Sequence, residues 1–232
     1  MEKLKVLHFI PAFGFGGIET IVTNLYRGMN RDVFEFDILV EGNRKSKLLD
    51  DIQKMGGKVY RVDIYKRYNL LSYSRQIKGI LLHTNHEIIH AHTVTRVPIL
   101  FYVARQCGIR NLILHAHTAC FSDKAWERHI KEFICKINIK LATYYAACSM
   151  AAAKYYYGEN YGDAKIIYNA IEIEKYKFRT DGRKNIRQVY GMDEDDIVIG
   201  FVGRIMPEKN IDFLCDIFFA QCHLDSKLLH LT

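Results

Sequence analysis

Residues 199–210 read IGFVGRIMPEKN, and the patterns on either side of this stretch set the fold. Ile197, Val198, Ile199, Phe201 and Val202 form a short, β-branched apolar run of the kind a fully buried strand requires. Gly203 ends the run, and Arg204 and Lys209 follow on a turn that contains Pro207. Ile211, Phe213, Leu214, Ile217 and Phe218 then recur at helical spacing, so the loop leads from a strand into a helix. That order puts two cations beside a helix N-terminus, whose unpaired amides favour an anion. A solvated surface turn can carry the same two cations, so the meaning of the pair depends on what lies upstream.

Upstream, the same strand–loop–helix unit repeats. Strands are expected at Lys5–Ile10, Val33–Val40, Lys58–Val62, Glu87–Ala91, Asn111–Ala116, Thr143–Cys148 and Lys165–Tyr168. Helices are expected at Ile18–Met29, Lys47–Met55, Leu70–His83, Val94–Cys107 with Pro98 in its first turn, Trp126–Leu141 and Ser149–Tyr157. Gly56-Gly57 and Gly158 sit where C-caps belong. Such alternation with short connections implies an α/β class: a parallel sheet covered on both faces, doubly wound and Rossmann-like. Residues 169–195 are polar and read as an interdomain stretch with a short helix around Ile186–Tyr190. A second domain begins at Asp196 and holds one unit, with Lys227–Leu231 as its next strand. The expected organisation is a complete domain over 1–168 and a partial one over 196–232, too small to bury both faces of a sheet.

The chain has 232 residues, 49% hydrophobic and 25% charged, which excludes a disordered chain. No apolar run reaches the roughly 18 residues of a membrane span, and Met1–Ile10 lacks a signal-peptide core, so a cytoplasmic protein is expected. The six cysteines form no CxxC pair and read as free thiols in a reducing compartment. The net charge of +7 is uneven: residues 171–232 hold 9 Lys and Arg against 11 Asp and Glu, which leaves +9 on residues 1–170. A basic first part suits an anionic partner.

Ligands of open α/β sheets bind beyond the carboxyl ends of the strands, and several distinctive residues fall there. Gly14, Gly16 and Gly17 lie between the first strand and the first helix, where missing side chains let amides approach a phosphate. Glu19 stands at the third glycine position of a dinucleotide fingerprint, and Glu41 ends the second strand, so a nicotinamide oxidoreductase is one reading. Glu19 is also explained as a first-turn acid complementing the helix dipole. His90 and His92, and His115 and His117, form two strand-end pairs, each on one sheet face. Their spacing would allow a metal, but no acid cluster completes a site, and structural hydrogen bonding is the simpler account. The helix Trp126–Leu141 carries Arg128, Lys131, Lys136 and Lys140 around apolar residues, and Tyr65–Tyr68 adds a basic, aromatic loop. These suit a solvated face or an anionic bilayer. No nucleic-acid-binding motif is recognisable, and no nucleic-acid partner is expected.

The segments GGIETIVTNLYR (16–27), EIIHAHT (87–93), LILHAHT (112–118), ATYYAACS (142–149), IIYNAIE (166–172) and VGRIMPEKN (202–210) together resemble family 4 glycosyltransferases of the GT-B fold. The similarity runs along nearly the whole chain and is strongest toward the exopolysaccharide and capsule branch. The resemblance implies that Arg204 and Lys209 clamp the diphosphate of a nucleotide-sugar donor, a UDP-sugar for preference, across from the Gly16-Gly17 turn. It makes His117 the catalytic residue near the transferred sugar, places Asn169 at the crossing between domains, and leaves Glu19 and His92 as candidate cleft residues. It implies retention of configuration without an obligatory metal or other cofactor, a lipid-linked oligosaccharide acceptor, and work at the inner face of the membrane. The family's E-x7-E element, which holds donor sugar and ribose, is not among the 232 residues. A C-terminally truncated member is therefore expected, weak or inactive as a transferase alone, with Phe213, Leu214, Ile217 and Phe218 short of packing partners. An inactive accessory module is the remaining alternative.

Overall fold

The apolar runs of the first part form one parallel sheet in the computed structural model, which describes residues 3–14, 16–118, 124–198, 200–203 and 209–224, the last four by backbone alone. In chain order these are β1 (Leu4–Phe9), α1 (Gly17–Gly28), β2 (Phe34–Glu41), α2 (Lys47–Lys54), β3 (Val59–Val62), α3 (Leu70–Thr84), β4 (Ile88–Ala91), α4 (Val97–Gln106), β5 (Asn111–Ala116), α5 (Ala125–Leu141), β6 (Tyr144–Ala147), α6 (Met150–Tyr157) and β7 (Lys165–Ile166). The strand order is β3-β2-β1-β4-β5-β6-β7, every neighbouring pair parallel. The order reverses between β1 and β4, which opens a crevice at their carboxyl ends.

Alternation along the strands sorts the core into two layers. Leu7, Phe9, Leu39, Ile89, Ala91, Leu112 and Leu114 pack with α3, α4 and α6, whereas Ile38 and Val40 pack with Val22, Tyr26, Leu49 and Ile52 of α1 and α2. The sheet also buries a polar pair: His86 Nε2 lies 3.1 Å from Asp37 Oδ2, while Asp37 Oδ1 accepts from Lys58 N at 2.9 Å. The buried Tyr157 hydroxyl is shared by the carbonyls of Leu114 and Ala146, at 2.6 and 2.7 Å, and so ties β5 to β6.

One helix of this sheet starts three residues later than the sequence reading. The fourth helix starts at Val97, not Val94, because Pro98 lacks an N–H and clashes with a preceding turn, so it is confined to the first turn. Residues 93–96 are released into a loop. At the end of α2 the chain turns through Gly56 at φ +101°, a backbone that side chains rarely adopt.

The chain divides into two compact units, Met1–Glu172 and Ile173–Thr232. The second contains α7 (Ile173–Tyr176), α8 (Thr180–Tyr190) and α9 (Ile211–Leu224). The helix expected around Ile186–Tyr190 begins six residues earlier, at Thr180. Its first half is polar, so no apolar period marked it. Buried Arg187 donates to the carbonyls of Asp193 and, at 2.7 Å, Asp196, which folds residues 191–196 back on the helix.

The strand expected over Ile197–Val202 does not form among the described residues 196–198 and 200–203. A strand needs neighbours for its amides and carbonyls, and the described residues of this unit offer no other strand. The strand expected at Lys227–Leu231 lies outside the described residues. On α9, Phe213 and Ile217 are exposed and Leu214 and Phe218 partly so. Cys107, Cys135, Cys148 and Cys215 are free thiols.

Candidate active site

Three adjacent central strands each carry a histidine as their last residue but one. His8 of β1 pairs in register with His90 of β4, and β5 brings His115 alongside. Because Leu7, Phe9, Ile89, Ala91 and Leu114 face the larger core layer, alternation turns His8, His90, His92, His115 and His117 to the opposite face. Two strand-end pairs that lie 25 residues apart in the sequence thus become a single cluster. His8 was not singled out by the sequence reading; its signal was the third strand-end histidine, on a strand that the topology places next to the other two.

Hydrogen bonds join the rings. His8 Nδ1 lies 2.9 Å from His92 Nε2, His92 Nδ1 lies 2.8 Å from His117 Nε2, and His90 Nε2 lies 3.0 Å from His115 Nδ1. Neighbours along a strand stack, with ring centroids 4.3 Å apart for His90 and His92 and 4.0 Å for His115 and His117. Burial makes the charged form costly, and neighbouring histidines add repulsion. His8 is held down to about 3, His115 to about 2 and His117 to about 4, with His90 and His92 well below the usual histidine range. The cluster is neutral at pH 7.

Neutral imidazoles are also what a metal requires, and the ring nitrogens of His8, His90 and His92, and of His92, His115 and His117, lie within 4.8 Å of one another. Zinc would need its nitrogens converging at about 2.0–2.1 Å from one centre. Here both nitrogens of His92 are already engaged by other rings, and stacked rings direct their nitrogens side by side. As arranged, the cluster is a set of imidazoles hydrogen-bonded to one another.

His92, His115 and His117 form one wall of a cleft of about 380 Å³ that Ile18, Arg96, Lys131 and Tyr156 also line. The loop released by Pro98 contributes Thr93–Arg96 to it. Arg96 and Lys131 are cations on the cleft that the sequence reading did not select for it. Arg96 Nε lies 3.3 Å from Glu41 Oε1. Among the described residues no Asp or Glu lines the cleft.

The glycine turn borders the same cleft through Ile18. Gly14 N donates to Glu19 Oε1 at 3.0 Å, so the carboxylate of Glu19 caps the turn that precedes its helix. A Cβ on Gly16 would stand 2.4 Å from Glu19 Oε2, so a side chain there would push the carboxylate out of its place. Gly17 opens α1. The Gly14 amide is therefore not free for a phosphate, of a dinucleotide or of any other nucleotide, unless Glu19 moves aside. Glu41 is not free for a ribose either. Its oxygens accept from Tyr73 Oη at 2.8 Å and Tyr65 N at 3.3 Å, besides the pair with Arg96.

Of the remaining sequence candidates, Asn169 is exposed after β7 in the first unit, and Lys209 is exposed just before α9 in the second. Arg204 lies outside the described residues.

Comparison with known proteins gives the family and the fold. The chain is 25% identical over 219 residues to EpsF of Bacillus subtilis (strain 168), a protein that carries a glycosyltransferase name, covering 92% of this chain and 57% of EpsF. It is 24% identical over 216 residues to the capsular polysaccharide biosynthesis glycosyltransferase CapH of Staphylococcus aureus, with the same two coverages, 92% and 57%. The crystal structure of Anabaena HepE in complex with UDP and glucose is similar with a TM-score of 0.74 at 19% identity, over 94% of this chain and 58% of HepE. That likeness shows the fold, which is of GT-B type, and the chain spans a little over half the length of these proteins. Residues 16–169 match the glycosyl transferase 4-like domain, and with two thirds of its length inside that match the chain belongs to this family of glycosyltransferases.

Proposed function

We propose that this chain takes part in retaining transfer of a sugar from a nucleotide-sugar donor, of the UDP class, to a lipid-linked glycan acceptor in exopolysaccharide or capsule biosynthesis. The observation that carries the reading is the neutral His117 at a cleft that holds cations and no carboxylate among its described lining. A covalent glycosyl–enzyme route needs a carboxylate nucleophile. The lining favours a same-face displacement instead: the acceptor attacks from the side on which the diphosphate departs, the leaving diphosphate takes the acceptor's proton, and positive side chains stabilise the charge it gains. His117 serves as the catalytic residue by hydrogen bonding to the transferred sugar, and Arg204 and Lys209 hold the diphosphate. Gly16 and Gly17 allow its close approach, with His92 and Glu19 shaping the cleft and Asn169 at the crossing between the domains. The HepE structures contain UDP with glucose, and UDP-glucose, which supports the donor class. No metal or other cofactor enters this scheme.

Binding decides it. The purified chain, titrated with UDP-glucose, UDP-N-acetylglucosamine and NADH, is expected to bind a UDP-sugar and to lose the sugar-dependent part of that affinity in His117→Ala. Saturable NADH binding with no response to any nucleotide sugar overturns the reading. Transfer by these 232 residues alone is expected to be weak, because Arg204 and Lys209 stand without the acidic element that fixes sugar and ribose. Positioning of that kind can supply roughly 7–11 kcal/mol of a lowered barrier.

The acceptor half of the proposal rests on α5. Trp126, Ile130, Phe133 and Ile137 form an exposed apolar stripe, Trp126 and Phe133 being 64% and 66% exposed. Exposed His129, Lys136 and Lys140 run along one edge. Glu127 and Glu132 turn aside to Lys124 and Arg128, within 3.7 and 4.0 Å. An apolar stripe edged by cations suits peripheral docking on the anionic inner face of the cell membrane. Among the described residues no helix is long and apolar enough to cross a membrane.

A further inference from the structure

A neutral imidazole carries one N–H and one lone pair. His92 uses both nitrogens, toward His8 Nδ1 at 2.9 Å and toward His117 Nε2 at 2.8 Å, so it donates to one neighbour and accepts from the other. Burial keeps all three rings uncharged. Only two arrangements of the chain are then consistent. In one, every ring is protonated on Nδ1 and the bonds run from His8 outward to His117. In the other, every ring is protonated on Nε2 and the bonds run inward.

The two arrangements differ at the ends. His8 Nε2 is buried and has no hydrogen-bond partner among the described residues. With inward bonds it would be an N–H without an acceptor; with outward bonds it is a bare ring nitrogen. Orphaned buried N–H groups are rarer than under-used acceptors, and the nearby Phe36 ring, tilted by 55° at 4.7 Å, offers only a weak substitute. The second pair obeys the same rule: His115 Nε2 is also buried without a partner, which makes His115 Nδ1–H the donor to His90 Nε2.

We propose that His8, acting through His92, fixes His117 as its Nδ1–H tautomer, so that a ligand in the cleft meets a hydrogen-bond donor suited to a hydroxyl or phosphoryl oxygen. His8 and His92 are positioning residues, and His117 is the group that touches the ligand. The use of this donor in sugar transfer rests on the function proposed above; the tautomer itself does not.

Imidazole 15N–1H correlation spectra of the uniformly labelled chain at pH 7 test it without substrate. His8, His92 and His117 are expected to show protonated Nδ1 and bare Nε2. His8→Phe keeps a ring but removes both nitrogens, and His117 is then expected to become a mixture, with at least a third of the Nε2–H form. His8→Asn, whose amide donates from near the Nδ1 position, is expected to restore the single Nδ1–H form. Nε2–H at His117 in the unsubstituted chain overturns the proposal. So does an unchanged Nδ1–H population in a folded His8→Phe, or a mixture in His8→Asn. If His8→Phe does not fold, the unsubstituted chain and His8→Asn decide. Loss of UDP-sugar binding with the tautomers as stated would count against the proposed function alone.

Discussion

Acid should unfold the first unit at an unusually high pH, because five buried histidines must stay neutral for it to fold. An unfolded histidine titrates near 6.5, whereas His8, His115 and His117 are held to about 3, 2 and 4 and His90 and His92 well below the usual range. The native pKa values are depressed, so the unfolded state binds the extra protons. The stabilisation is whole above about pH 7 and drains away as pH falls below 6.5, until the native groups titrate near pH 4 or lower. Between pH 7 and 5.5 each histidine forfeits about 1.2 kcal/mol, and five together about 6 kcal/mol. A domain's whole stability is about 5–15 kcal/mol, so most of it goes before the carboxylates begin to titrate. Urea unfolding followed by far-UV circular dichroism at half-unit pH steps measures this. Near pH 5 the slope should approach 7 kcal/mol per pH unit, about five protons per molecule unfolded. His90→Leu should lower it by about one proton. A slope equivalent to fewer than two protons would refute the picture of a neutral, buried cluster.

Other perturbations act on separate features. Asp37→Ala leaves His86 Nε2 and Lys58 N without their acceptor and should destabilise the first unit by about 1–3 kcal/mol, read as a lower urea midpoint at unchanged m-value. Glu19→Ala removes the acceptor of Gly14 N and should cost about 1–3 kcal/mol in the same assay, while an added phosphate ligand should recover part of the loss by taking the carboxylate's place. Trp126 is the single tryptophan of the chain, so its emission should shift to the blue with phosphatidylglycerol vesicles and not with neutral phosphatidylcholine. Phe133→Asp should abolish that shift without changing the melting temperature, and an identical shift with both vesicle types counts against docking by α5.

Much of the first unit was readable because its elements are periodic. Each strand is an apolar run, each helix has one apolar face, and the seven alternations allow few topologies. Boundaries failed where a local rule overrode periodicity, as when Pro98 shortened α4, or where periodicity was missing, as in the polar first half of α8. The run Ile197–Val202 has strand composition, yet its described residues form no strand, because strand formation depends on pairing that composition does not contain. At the cleft, His92 and His117 were visible as strand-end residues, and His8 only became one of them when β1 was placed beside β4. Glu41 was misleading for a related reason. Its spacing from the glycines fits a ribose ligand, but three partners brought by Tyr65, Tyr73 and Arg96 are remote in sequence.

Helix α5 turns two faces to two different surroundings. Lys131 lines the cleft, while Trp126, Ile130, Phe133 and Ile137 look outward. At about 1.5 Å per residue its 17 residues make a rod of about 25 Å. Once that rod rests on a bilayer, the cleft stands at a fixed height above the surface and cannot tumble away from it. On the function proposed above, a lipid-anchored acceptor would then reach His117 by lateral diffusion in a plane, a two-dimensional search, while the soluble donor would still arrive through the bulk. Turnover would follow the surface density of acceptor rather than its concentration per volume, and dilution into empty vesicles would slow the reaction at constant total lipid-linked glycan.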